Sequence, residues 1–180
     1  MGRFIIRALV NLFFRVGQFK NARVKALART LRNKKILELG SGIPRKGRYP
    51  FSVKECFDPS NEFIQSDLNP AFGHRLVDVT AMAFESEFDV ILCLNVLEHV
   101  VDYSKALERV FRALKAGGMA VIMVPAFYPL HDEPADYWRF TEHGLRVMLS
   151  AFENVRITRR GLRQFPFAYF VEANKPHPAA

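Results

Sequence analysis

The stretch ILELGSGIPRKG, residues 36–47, decides how the chain folds. With Lys34 and Lys35 before it, it opens as a short apolar run ending at a turn, the pattern of a strand buried on both faces. Gly40 and Gly42 follow one residue apart, where the backbone can take positive φ and lie close against a ligand. In open α/β sheets ligands sit beyond the carboxyl ends of strands, near the switch in strand order. A first strand ending in Glu38-Leu39-Gly40-Ser41-Gly42 is placed there, and Glu38 adds a carboxylate suited to an amine or other cation. A dinucleotide site wants GxGxxG opening a helix, so that a pyrophosphate meets the helix N-terminus. Pro44, Arg45 and Lys46 break that pattern. A GxG pair also serves as an ordinary tight turn, so its surroundings decide between the two readings.

Outward from this loop, strand and helix patterns alternate. FIQSD and LVDV are short strand candidates, and FDVILCLN is a longer apolar one. DYSKALERVFRAL has helical spacing through Ala106, Val110, Phe111 and Leu114, with Asp102 as N-cap and Gly117-Gly118 as its stop. MAVIMVP is a buried strand ended by Pro125. TEHGLRVMLSAF reads as a helix capped by Thr141, and ENVRITRRG and FAYFVEANK read as a closing pair of strands. RKGRYPFSVKECFDPSNE is rich in turn residues and reads as irregular. The expectation is an α/β fold: a mostly parallel sheet, helices on both faces, and a closing antiparallel strand.

Composition narrows the function classes. At 180 residues and 49% hydrophobic, the chain suits one domain with a full core. Its two cysteines, Cys56 and Cys93, have no CxxC neighbour, which argues against a disulfide framework or zinc knuckle and fits a reducing cytoplasm. The net charge of +8 is unevenly placed: residues 1–37 hold ten Lys or Arg and no acid, leaving a net of −2 on the rest. A nucleic-acid groove across the main body is therefore not expected. The longest apolar candidate, FIIRALVNLFFRVGQF, is broken by Arg7, Asn11 and Arg15, so no transmembrane span is expected either.

The order of the motifs is more specific than any one of them. A glycine loop after the first strand is followed by Asp67 after a second strand, Asp78 in VDVTAM, then FDVILCLNVLEHV and LKAGGMAVIMVP. In this the sequence resembles the class I S-adenosylmethionine-dependent methyltransferases, most closely their type 11 group, over residues 34 to 175. The resemblance implies a Rossmann-like fold and S-adenosyl-L-methionine as cofactor. Glu38, Gly40 and Gly42 match the motif that wraps the methionine part, with the acid holding the amino group directly or through water. Asp67 matches the ribose-binding acid, although ECFDPSN offers Asp58 as an alternative; the nearness of LVDV favours Asp67. Asp78 matches the acid facing the adenine amino group, with the Thr80-Ala81-Met82 backbone beside the ring, and Asn95 matches a residue near the transferred methyl. Pro44 departs from the family's third glycine.

Methyl transfer needs neither a metal nor a covalent intermediate, so none is assigned; an oxygen nucleophile gains from a general base titrating near neutrality. His131 and His99 are the candidates, His131 preferred because it follows the fifth strand, where substrates enter this fold. Asp136, Tyr137, Trp138 and Arg139 are the acceptor-binding candidates, with Trp138 as a wall and Arg139 as an anion ligand. PLHDEPADYWRFTEHGL resembles a segment of small methyltransferases from glycan and lipid-linked sugar pathways, which implies a small-molecule or glycan-type acceptor. NVLEHV resembles the ExxEH arrangement by which certain methyltransferases hold a divalent ion, with Asn95 in place of the first acid. The rival readings are a binding protein that kept the fold but lost activity, and a nucleic-acid methyltransferase using its basic N-terminus.

Residues 4–32 read as helix, part of a basic amphipathic segment, 1–33, that precedes the methyltransferase domain, 34–180. Arg3, Arg7, Asn11, Arg15 and Gln18 form one narrow polar stripe on an otherwise apolar surface. That surface suits an anionic membrane interface on the cytoplasmic side, and equally the sheet or a second subunit in a homodimer.

Overall fold

The computed structural model describes residues 15–43, 51–131 and 134–178. Its elements are α1 (Val16–Ala28), β1 (Lys35–Leu39), β2 (Glu62–Asp67), β3 (Arg75–Leu76), β4 (Phe88–Leu94), α2 (Tyr103–Ala113), β5 (Leu114–Pro125), α3 (Glu142–Met148), β6 (Glu153–Gly161) and β7 (Pro166–Asn174). The strands form one sheet in the order β3-β2-β1-β4-β5-β7-β6. β1 to β5 run parallel, while β7 pairs antiparallel with both β5 and β6. The order reverses between β1 and β4, which opens a crevice at their carboxyl ends.

The central strands carry apolar residues on both faces because each face has its own core. Leu37, Ile91, Cys93, Ala120, Ile122 and Val171 join Ala106, Leu107 and Val110 of α2 and Leu145 of α3. Their sequence neighbours Ile36, Val90, Leu92, Val121, Met123 and Phe170 turn the other way and meet Val24, Leu27 and Ala28 of α1. Helices on both faces are thus observed. In α2 the Asp102 carboxylate accepts from Lys105 N at 2.9 Å, and in α3 the Thr141 hydroxyl accepts from Gly144 N at 3.1 Å; both are the expected N-caps.

Two expectations are corrected, and one of three alternatives for the N-terminal helix is met in its described part. The helix α2 ends at Ala113, before Gly117-Gly118, and both glycines lie inside β5. A Cβ on Gly118 would stand 2.8 Å from Lys115 O and 3.1 Å from Phe88 O, so glycine is what lets β5 pass the start of β4. Only Arg75–Leu76 of the LVDV region pairs as strand, because Asp78 draws the following backbone into a turn of its own. The described part of the N-terminal helix, α1, packs on the sheet: Phe19 meets Phe170 edge-on at 6.5 Å, and Arg23 pairs with Glu172 at 2.9 Å. Residues 1–14 of that expectation, and Pro44, lie outside the described residues.

Candidate active site

A cavity of about 510 Å³ lies beyond the carboxyl ends of β1, β2 and β4. Gly40, Asp67, Asp78, Thr80, Asn95 and His99 line it, together with apolar walls from Val77, Val79 and Val96. The size suits a nucleoside-sized ligand. Each polar group is brought there by a strand end or by a tight turn just after one.

The glycine loop is fixed from below. Gly40 has φ +67, and a Cβ there would stand 2.7 Å from Val96 Cγ2. Gly42, at φ +66, donates its N–H to Asp67 Oδ2 at 2.8 Å, and its carbonyl meets His74 Nε2 at 2.9 Å. Glu38 is buried and does not line the cavity, contrary to the expectation that it faces a ligand. Its carboxylate accepts from Ser41 Oγ and Val53 N, both at 2.8 Å, and from Ser52 Oγ, so it ties the two ends of the 41–53 segment together. Gly40→Ala is expected to cost about 1–2 kcal/mol from backbone strain alone, read as a lowered melting temperature, and to weaken ligand binding through the displaced Val96.

Asp67 ends β2 and lines the cavity; Asp58 instead pairs with Arg32 at 2.9 Å and is absent from the cavity wall. Asp78 Oδ1 accepts from Thr80 N at 2.8 Å and Thr80 Oγ1 at 2.7 Å, which leaves Oδ2 outside that turn. Ala81 and Met82 do not line the cavity: their N–H groups bond Asp78 O, and the Met82 side chain is buried in the core. Asn95 holds φ +59, its N–H bonds Met123 O at 2.8 Å, and its amide donates to Glu98 Oε1 at 3.1 Å.

Behind the cavity, two segments distant in sequence lock together. Glu98 is fully buried, its carbonyl accepts from Tyr137 N at 2.8 Å, and burial pushes its carboxyl up to about 7. His99 lines the cavity, with Nδ1 hydrogen-bonded to Ala135 O. His131 does not line it; its ring stands edge-on to His99 at 4.9 Å. Of the two histidines, it is thus His99, and not the preferred His131, that lines the cavity. One ligand atom each from Glu98, His99 and His131 lie within 4.8 Å of one another, a set able to hold a divalent ion.

The acceptor-binding candidates are largely occupied as structure. Arg139 makes a fork onto Asp136 at 2.7 and 2.8 Å and also donates to the carbonyls of Tyr128, Pro129 and Trp138. It is a clamp and not an anion ligand, and the Asp136 side chain is only 1% exposed. That clamp, with the His131 N–H behind it, holds the Asp136 carboxyl down at about 2. The Trp138 indole donates to Val100 O at 3.0 Å and packs edge-on against Tyr103 at 5.2 Å, bracing the cavity wall from outside. Tyr137 remains exposed. Asp136→Asn is expected to destabilise the fold by about 2 kcal/mol at neutral pH. A carboxyl depressed in the fold contributes above its unfolded pKa, so the difference from wild type should close as pH falls from 3.8 towards about 2 in denaturant titrations.

The sheet order and the cavity at its switch point define a Rossmann-like class I methyltransferase fold. The profile of a family described as "Methyltransferase domain" matches residues 14–159. The chain belongs to that family, and its fold is that of the class I S-adenosylmethionine-dependent methyltransferases. It is similar to the ubiquinone biosynthesis O-methyltransferase of Pseudomonas fluorescens, 31% identical over 72 residues. That match covers 40% of this chain and 29% of the relative, so less than a third of the relative's length is spanned. Among solved structures, the Burkholderia thailandensis 1,6-didemethyltoxoflavin-N1-methyltransferase, with S-adenosylhomocysteine bound, is 19% identical and superposes with a TM-score of 0.65 over 97% of this chain and 88% of that one. The Haemonchus contortus phosphoethanolamine N-methyltransferase 2, in complex with S-adenosylmethionine, is 14% identical with a TM-score of 0.68, over 88% of this chain and 52% of that one. These two likenesses show the fold.

Proposed function

We propose that the protein methylates an oxygen of a small-molecule or glycan-type acceptor, with S-adenosyl-L-methionine held in the cavity at the β1–β4 switch. The carrying observation is that Gly40, Asp67, Asp78 and Asn95 share one cavity with His99. Asp67 suits the ribose hydroxyls, Asp78 the adenine amino group, and the open backbone at Gly40 the methionine part. Bound cofactor supplies a methyl already activated on a sulfonium. The chain's task is then to orient the acceptor, exclude water and take one proton.

His99 is the group we assign to take it. With Nδ1–H donated to the Ala135 carbonyl, Nε2 carries the lone pair, and the edge of His131 steadies the ring. The O-methyltransferase likeness, short as it is, favours oxygen over nitrogen as the acceptor atom. The test is tritiated methyl transfer to phenolic and sugar acceptors, with the product identified by mass spectrometry. Products methylated only at nitrogen would overturn the oxygen reading. Cofactor bound with no turnover on any acceptor would favour a binding protein, and a steep salt dependence of RNA binding would favour a nucleic-acid substrate.

A second reading has its own observation. Among the described residues, Glu98 Oε2 is buried without a hydrogen-bond partner, beside two imidazoles. A divalent ion on Glu98, His99 and His131 would satisfy it and lower the pKa of an acceptor hydroxyl. Elemental analysis of purified protein separates the readings: stoichiometric metal, with activity lost to a chelator and restored by the ion, supports the second, whereas full activity in chelator disposes of it.

A further inference from the structure

The far side of the cavity's rim carries an aromatic and basic tip that the methyl-transfer reading does not use. The β6–β7 turn, residues 161–166, sits at the carboxyl end of β5, because Pro125 pairs with Ala168 and Phe127 N bonds Pro166 O at 3.1 Å. β5 is parallel to β4, so this is the end of the sheet where the cavity opens. Phe127 and Phe165 pack with ring centroids 4.4 Å apart and planes tilted by 45°, and they are 51% and 48% exposed. Leu162, in the same turn, is 73% exposed. Large apolar groups clustered and half-exposed mark a contact surface.

The charge around the tip says what kind of contact. Residues 154–171 contain Arg156, Arg159, Arg160 and Arg163 and no Asp or Glu. Arg159 and Arg163 are exposed. Basic side chains framing exposed aromatic and aliphatic groups complement an anionic lipid surface, where the rings enter the headgroup region and the arginines meet phosphate. A second feature points the same way. The contacts of α1 step back along β7, from Arg23–Glu172 to Phe19–Phe170, as α1 runs back towards Val16. The amino end of α1 therefore lies on the side of the tip, and the chain preceding it reads MGRFIIRALVNLFF, apolar with arginines.

We infer that the β6–β7 tip, through Phe127, Leu162, Phe165, Arg159 and Arg163, docks on an anionic lipid surface and turns the mouth of the cavity towards it. The acceptor class this favours is one presented at that surface, with its reacting group above the lipid headgroups. The docking stands apart from the oxygen-acceptor reading, since lipid binding is read without turnover.

The experiment uses the full chain and vesicles of phosphatidylglycerol mixed with phosphatidylcholine, or of phosphatidylcholine alone. Sedimentation should show binding to the anionic vesicles, release at high salt, and little binding to the neutral ones. R159E/R163E and F127A/F165A should each weaken binding to anionic vesicles at least about tenfold, with unchanged melting temperature and unchanged affinity for S-adenosylhomocysteine. Because all four side chains but none of their backbone is altered, loss of binding with those controls intact supports the docking. Wild-type protein that ignores anionic vesicles overturns it, as do tip variants that bind them like wild type. So does a tip whose substitution changes only self-association in sedimentation velocity, which would make it a contact between copies of the chain.

Discussion

His99→Ala is expected to lower turnover by about 10²–10⁴-fold, the usual contribution of a positioned general base. The expectation rests on placement: His99 is the one of the two candidate histidines that lines the cavity, and Ala135 O orients its ring. His131 supports that ring edge-on, and its own Nδ1 lies against Pro129 O and Asp136 Oδ2, both at 3.2 Å. His131→Ala should therefore act through His99, with a smaller loss of turnover. Single-turnover rates with saturating cofactor, measured across pH, separate the two. The base variant should lose the acidic limb of the profile, the fall in rate as a base becomes protonated, whereas the supporting variant should keep its shape at lower amplitude. If His131→Ala abolishes turnover and His99→Ala leaves it near normal, the roles are reversed and the acceptor enters from the β5 side.

The second large effect is on cofactor affinity. Asp67→Ala should weaken S-adenosylhomocysteine binding by about 1.5–3 kcal/mol, the range for hydrogen bonds to a charged group, or roughly tenfold to a hundredfold. Part of the loss is indirect, because Asp67 Oδ2 also receives Gly42 N–H, and Asp67 Oδ1 receives Asn69 N–H at 2.9 Å. Asp67→Asn keeps an acceptor for those N–H groups and isolates the charged contribution. Asp58→Ala, which removes the ion pair with Arg32 and the acceptor for Ser60 N–H, should leave affinity unchanged in titration calorimetry. The opposite pattern would move the ribose ligand to Asp58.

How far the sequence foretold this arrangement depends on how local each cause is. Strand β1, its glycine turn and the acid at the end of β2 were legible because each follows from periodicity and a few neighbours. The Asp102 and Thr141 caps were legible for the same reason, since a cap needs only three residues downstream. Glu38 was misread as a ligand-facing acid because its partners, Ser52 and Val53, come from a stretch with no pattern to place it. Arg139 was misread as an anion ligand because a guanidinium's partners are invisible until the chain folds back on Tyr128 and Pro129. The burial of Glu98 has the same origin: it is covered by the 135–138 backbone, nearly forty residues away. What belongs to one strand or turn could be read; what belongs to the meeting of the 98–100 and 128–139 segments could not.

The edges of the sheet have a consequence for the chain's behaviour at high concentration. One edge, β3, is two residues long and offers almost no backbone to pair with. The other, β6, runs for nine residues and, among the described residues, leaves one side of its ladder open. A bare edge of that length would recruit a strand from another molecule and begin fibrous growth. Arg156, Arg159 and Arg160 stand along it, so an identical edge brought alongside would meet like charge at several positions. Arginines so placed oppose edge-to-edge pairing, and neutralising all three is expected to yield thioflavin-positive assemblies even while the catalytic end stays intact.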